Sequence, residues 1–235
     1  MYYFAYIAVG AVIMEFLLLP IYIRLKHRQK YAPLKIFLKG CMTLIPVVFC
    51  ASGIFKLHAR TGDWHYLVSG TGYKTSLFVL FGLTICLIAD VLLVINFPVG
   101  MLFFLAGHIC YIVYFLTIGG FNPISIAAFL IGIALAYRYY SRFKDAMGKL
   151  WPAYYLYGIT IITTLSLGIM LPFELGPYGI LPALAACLTV ISDFMLAANR
   201  ISGRKPWSDL MYLSYYFTGQ FFMSLSVFIP VMLNL

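Results

Sequence analysis

Charge is what this chain lacks most. Only seven of its 235 residues are Asp or Glu, and charged residues of both signs make up 10%. A soluble domain carries about 25% charged residues to keep its surface in water. With 63% apolar residues, the composition excludes a soluble globular domain and a disordered chain. Cysteine is sparse and unpatterned. Cys41, Cys50, Cys86, Cys110 and Cys187 are odd in number, lie in apolar runs and form no CxxC pair. They read as buried apolar side chains, not as a disulfide framework or a metal site. The opening MYYFAYIAVG has no basic region of the kind that begins a signal peptide, so the first helix is expected to stay attached. GxSxG, GxGxxG and P-loop patterns are missing too. What is left is an all-α integral membrane protein, read as one transmembrane domain over residues 1–235.

A spanning helix needs about 20 mostly apolar residues. Stretches of that kind fall at 2–23, 34–56, 73–96, 98–117, 121–140, 151–171, 178–198 and 209–234, which predicts eight transmembrane helices in one bundle. Charge, Pro and Gly mark the breaks, with FPVG and GGFNP as the tightest. The formal net charge of +9 belongs to the loops. Arg24, Lys26, Arg28 and Lys30, then Arg138, Arg142, Lys144 and Lys149, then Arg200, Arg204 and Lys205 occupy alternate loops, whereas the others hold little beyond Lys56, Arg60 and Lys74. Such asymmetry marks the cytoplasmic side, puts both termini on the other side and makes nucleic acid an unneeded partner. Trp151 and Trp207 beside basic loops, and Trp64 opposite, suit interfacial anchors. Loops this short suit a bacterial inner membrane.

Ionisable residues inside spans are costly, so each is a functional hypothesis. Here they are Glu15, Lys39, Asp90, His108 and Asp193, with Tyr111, Thr189, Ser192, Tyr212, Tyr215, Tyr216 and Gln220 as polar companions. Asp90 and Asp193 each stand six residues before an asparagine, Asn96 and Asn199, at the end of a span. At about 1.5 Å per residue, both lie roughly 9 Å inside the same boundary. Lys39 and Tyr215 are six residues inside from the same side, Glu15 is deeper, and His108 and Gln220 are nearer the midplane. The opposite half of these helices is nearly all apolar. A conduction path needs polar groups along its length, so a one-sided cluster predicts a pocket. The echo between ADVLLVIN and SDFMLAAN is compatible with two parallel four-helix repeats.

Two carboxylates at one depth suit acid–base work. Burial and a like-charged neighbour both favour keeping one of them protonated, so one can donate a proton while the other activates water. The more apolar surroundings of Asp90 favour it as the acid, with Lys39 holding the basic carboxylate ionised or meeting a lipid phosphate, and His108 relaying a proton. A zinc site wants three or four good ligands, and His108 is the one intramembrane histidine, so neither metal nor cofactor is expected. Metal-free hydrolysis competes with a proton-coupled lipid transporter that uses the same carboxylates. A structural scaffold would leave the buried charges unexplained.

The stretch GLTICLIADVLLVINFPVGMLFFLAGHICYIVYF resembles the first signature of the YhhN-like lysoplasmalogenase family. GILPALAACLTVISDFMLAANR resembles its second, and LSYYFTGQ its closing segment. Two positions depart from the pattern: Ala89 stands where a Gly precedes the first Asp, and Gly40 follows Lys39 where the family has Pro. The resemblance implies hydrolysis of the vinyl ether bond of a lysoplasmalogen, a membrane-borne lysophospholipid. The products would be a fatty aldehyde and glycerophosphoethanolamine or glycerophosphocholine. Asp90 and Asp193 would be catalytic, with Glu15, Lys39, His108, Tyr111, Tyr215, Tyr216, Gln220 and Asn199 binding substrate or supporting them.

Overall fold

The computed structural model describes the backbone of residues 2–26, 28, 31–61, 71–203 and 208–228. The side chain of Glu15 lies outside the described residues, as do those of Lys30, Lys56, Arg60, Trp64, Lys74, Arg204, Lys205 and Trp207. The long helices are α1 (Tyr2–Lys26), α2 (Ala32–Thr61), α3 (Thr71–Ile95), α4 (Phe97–Gly119), α5 (Pro123–Arg142), α6 (Trp151–Gly168), α7 (Ile180–Ser202) and α8 (Ser208–Leu225). Short helical turns at Lys144–Met147 and Leu171–Leu175 fill two of the expected loops. No strand occurs among the described residues. Ala32–Phe55, Thr75–Ile95, Phe97–Gly119, Pro123–Arg142 and the long segment Lys144–Ile201 are each apolar and long enough to cross a membrane.

Local chemistry sets the joints. α3 and α4 are separated by Asn96 alone, whose side chain accepts from the Val99 amide while Pro98 occupies the first turn of α4, where its missing N–H costs nothing. Asn122 and Pro123 repeat the device at the start of α5. Successive helices pack as α1, α2, α3 and α4; α4 then meets α6, α7 and α8 follow, and α8 returns onto α1 and α2. α5 lies outside this ring, resting on α6.

Burial is inverted relative to a soluble protein. Phe37, Phe81, Ile131, Leu135 and Phe173 are exposed, whereas Lys39, Asp90, His108, Asp193 and Gln220 are buried. Lipid solvates the first set, and the second must be satisfied from within the bundle.

The α3–α4 and α7–α8 hairpins share one close contact. A Cβ on Gly107 of α4 would meet Cys86 Sγ at 2.6 Å and the Gly82 carbonyl at 3.3 Å. On Gly219 of α8 it would meet Thr189 Oγ1 at 2.6 Å and the Ala185 carbonyl at 3.2 Å. Cys86 and Thr189 each precede their aspartate by four residues, and Gly82 and Ala185 by eight. Only a residue without a side chain lets the paired helices approach this closely at these two places.

Candidate active site

Asp90 is almost inaccessible, at 1% exposure, and its oxygens are fully engaged. Oδ1 takes an ion pair from Lys39 Nζ at 2.8 Å. Oδ2 accepts from Tyr216 OH at 2.8 Å and from Thr43 Oγ1 at 2.6 Å, the shorter of that hydroxyl's two contacts, the other being the Lys39 carbonyl at 3.0 Å. Lys39 and Thr43 are one turn apart on α2, so both face α3; Tyr216 arrives from α8. The ammonium thus neutralises a carboxylate that two hydroxyls also stabilise, the arrangement a buried charge requires.

Asp193 is met differently. Its Oδ2 accepts from Tyr157 OH on α6 at 2.7 Å and lies 3.1 Å from His108 Nε2 on α4. The other imidazole nitrogen, Nδ1, lies 3.2 Å from Thr164 Oγ1. Thr164 Oγ1 also lies 3.0 Å from the Thr160 carbonyl, and its one hydroxyl proton serves either that carbonyl or Nδ1. Both bonds form together only if Nδ1 carries a proton that Thr164 accepts. Nε2 then faces Asp193 in one of two states. Either the carboxyl is protonated and donates to Nε2, or the imidazole holds both protons against a carboxylate. In either state the pair shares one transferable proton. His108 stands edge-on between Tyr111 and Tyr157, with ring centroids 5.9 Å away in each case, which fixes its plane.

The two centres belong to one neighbourhood. Lys39 and Cys86 each lie within electrostatic range of both Asp90 and Asp193. Tyr111 and Gln220 form a separate pair: the tyrosine donates to Gln220 Oε1 at 2.7 Å, while Gln220 Nε2 has no partner among the described residues. Tyr215, expected at the pocket, is half-buried and makes no hydrogen bond to either carboxylate among the described residues; the adjacent Tyr216 does. Asn199 donates to Ser208 Oγ at 2.5 Å, joining the end of α7 to the start of α8. Tyr157, Thr43 and Thr164 are additions that the sequence reading did not single out.

Two cavities approach these groups. One, of about 340 Å³, is polar, reaches Lys39 and opens among the ends of α1, α3 and α7 and the starts of α2, α4 and α8. The other is a small slot lined by Met101, Phe104, Tyr154 and Tyr157 that reaches Asp193. Leu93, Phe97 and Leu196 line both. Leu93 and Leu196 each stand three residues after their aspartate, so equivalent leucines form part of the boundary. Among the described residues no group of three His, Cys, Asp or Glu side chains is placed to hold a metal ion.

No curated protein and no solved structure matches the chain. A model of the YhhN family matches residues 34–227, a stretch that contains both aspartates, Lys39, His108, Tyr157 and Tyr216. The chain is a member of the YhhN family, and its buried carboxylates lie within the matched region.

Proposed function

We propose that this protein is a membrane hydrolase that cleaves the vinyl ether bond of lysoplasmalogens, using one protonated and one ionised centre and no metal. Membership of the family supports this reading, and the proton shared by Asp193 and His108 beside the ion-paired Asp90 carries it. Sequence surroundings favour Asp90 as the acid; the Lys39 ion pair favours the opposite assignment. In the proposed reaction the Asp193–His108 pair gives its proton to the terminal alkenyl carbon, next to the carbon that bears oxygen. The oxygen-bearing carbon becomes an oxocarbenium ion, which the Asp90 carboxylate stabilises electrostatically. Water adds there, losing a proton to Asp90 as general base. The hemiacetal collapses to an aldehyde and an alcohol, and the proton returns to the Asp193–His108 pair. One water is consumed and no electron changes hands.

The proposal includes eight spanning helices arranged as two parallel repeats. The matched glycine contacts support it, as does the way α3 and α7 end at the same cavity. It also includes both termini on the non-cytoplasmic face of a bacterial inner membrane, from the loop charges. A cytoplasm-dependent reporter fused after Leu235 should be silent.

The deciding experiment incubates purified protein with a lysoplasmalogen in detergent, with a chelator present and in deuterated water. The aldehyde is trapped by reduction as it forms. The expected result is a single deuterium on the carbon next to the former carbonyl, with chelation leaving turnover intact. No aldehyde from folded protein would overturn the hydrolase reading. Turnover lost to the chelator and restored by one metal would overturn the metal-free mechanism.

A further inference from the structure

The polar cavity carries more positive charge than its own residues neutralise. Lys26, Lys35, Lys39 and Arg200 line it. Lys26 pairs with Asp209 at 2.8 Å and also donates to Tyr212 OH, while Lys39 is committed to Asp90. Lys35 and Arg200 make no ion pair among the described residues. Lys35 spends one ammonium proton on the Lys26 carbonyl at 3.2 Å, at the end of α1, and has two more to give. Arg200 lies with its guanidinium carbon 4.8 Å above the Phe97 ring. A guanidinium over a ring keeps N–H donors at its edge for an anion. Two cations from different walls, α2 and α7, thus face one cavity.

The cavity shares Leu93, Phe97 and Leu196 with the apolar slot at Asp193. A molecule that fits has an anionic head, a single aliphatic chain and its reacting bond near the junction. We infer that Lys35 and Arg200 bind the phosphate group of a single-chain phospholipid in this cavity, with the first carbons of its chain passing the two leucines. This deepens the vinyl ether hydrolase reading and rests on it, but it is tested without hydrolysis. Phosphate pairs with ammonium through charge and with guanidinium through a two-point fork, so each partner supplies a strong contact.

The test is the ligand-induced rise in unfolding temperature of the full-length protein in a non-ionic detergent. The probes are a saturated 1-O-alkyl lysophosphoethanolamine, the alkylglycerol of the same chain length, and inorganic phosphate. The first cannot be cleaved, so binding is read even if no aldehyde is ever released. The lysophospholipid should stabilise most, and its half-saturating concentration should rise about tenfold in Lys35→Gln and again in Arg200→Gln, the cost of one charge-assisted contact each. Lys35→Arg should keep wild-type binding. Equal stabilisation by the alkylglycerol would overturn the proposal, because the phosphate would then contribute nothing. Equal stabilisation by inorganic phosphate would assign the cavity to a free anion and overturn the lipid. Should Lys35→Gln fail to fold, Arg200→Gln on the exposed end of α7 decides: unchanged half-saturation there overturns the proposal.

Discussion

Asp90 and Asp193 occupy equivalent places in α3 and α7, yet they keep different company. Each stands four residues after the contact point of a glycine from the next helix and three before a leucine that lines both cavities. One faces an ammonium and two hydroxyls, the other an imidazole and a phenol. The two aspartates share sequence spacings to a glycine contact and a lining leucine, while their neighbours differ. In the proposed reaction the centre beside the cation serves as the base, and the centre beside the imidazole gives the proton. Side chains on four helices produce this division: α2 and α8 serve Asp90, and α4 and α6 serve Asp193.

The largest effect should come from removing either carboxyl. Asp90→Asn and Asp193→Asn keep the side-chain size and lose proton exchange, so each should lower aldehyde release by at least about 100-fold, the lower end of general acid–base contributions. The double variant should be little worse than either single, because the groups act in one sequence of steps. Near-normal turnover in either single variant would end the two-centre mechanism.

Stability should separate the two where activity does not. Asp90→Asn leaves the Lys39 ammonium buried without its counter-charge, a change that commonly costs about 3 to 5 kcal/mol. Asp193→Asn leaves an amide beside a histidine and a tyrosine and should cost about 1 to 2 kcal/mol. Adding Lys39→Met to Asp90→Asn should recover most of the larger loss, since an apolar replacement no longer strands a charge. Chemical unfolding in detergent checks all three. Equal losses for the two single variants would mean that the ion pair does not distinguish the centres.

An effect smaller than the loss of the ion pair should show where the halves agree. Gly107→Ala and Gly219→Ala each force a methyl into a neighbour at 2.6 Å, and overpacking of this kind costs about 1 to 3 kcal/mol. Gly219→Ala should be somewhat worse, because its new carbon also meets the Thr189 amide nitrogen at 3.1 Å, which cannot rotate away. An unfolding shift in only one of the two would break the correspondence between the hairpins.

Much of this arrangement was legible in the sequence. The rarity of intramembrane charge made Asp90, Asp193, Lys39 and His108 visible, and the repeated spacing to asparagine put the aspartates at one depth. Rotation about the helix axes was not legible. Tyr215 and Tyr216 are neighbours in sequence, but about 100° of turn separates them, and only Tyr216 reaches Asp90. Lipid and protein are both apolar surroundings, so hydropathy cannot say which tyrosine faces inward. Tyr157 was hidden for a related reason. It lies in WPAYYLYGIT, where aromatic residues near a span end read as interfacial anchors, and its role depends on α6 packing against α7. Asp209 was read only as the start of the last span, but it is buried and holds Lys26, tying α8 to the end of α1.

The tautomer of His108 has a consequence for electroneutrality. With Nδ1 protonated, Asp90 and Lys39 cancel and the Asp193–His108 pair sums to zero whichever partner holds the shared proton. When that proton moves to the lipid in the proposed reaction, the protein cluster becomes singly negative as the substrate becomes singly positive. The total stays at zero before, during and after the step. A low-dielectric interior charges heavily for an unbalanced ion, and the proposed acid step creates no net charge there.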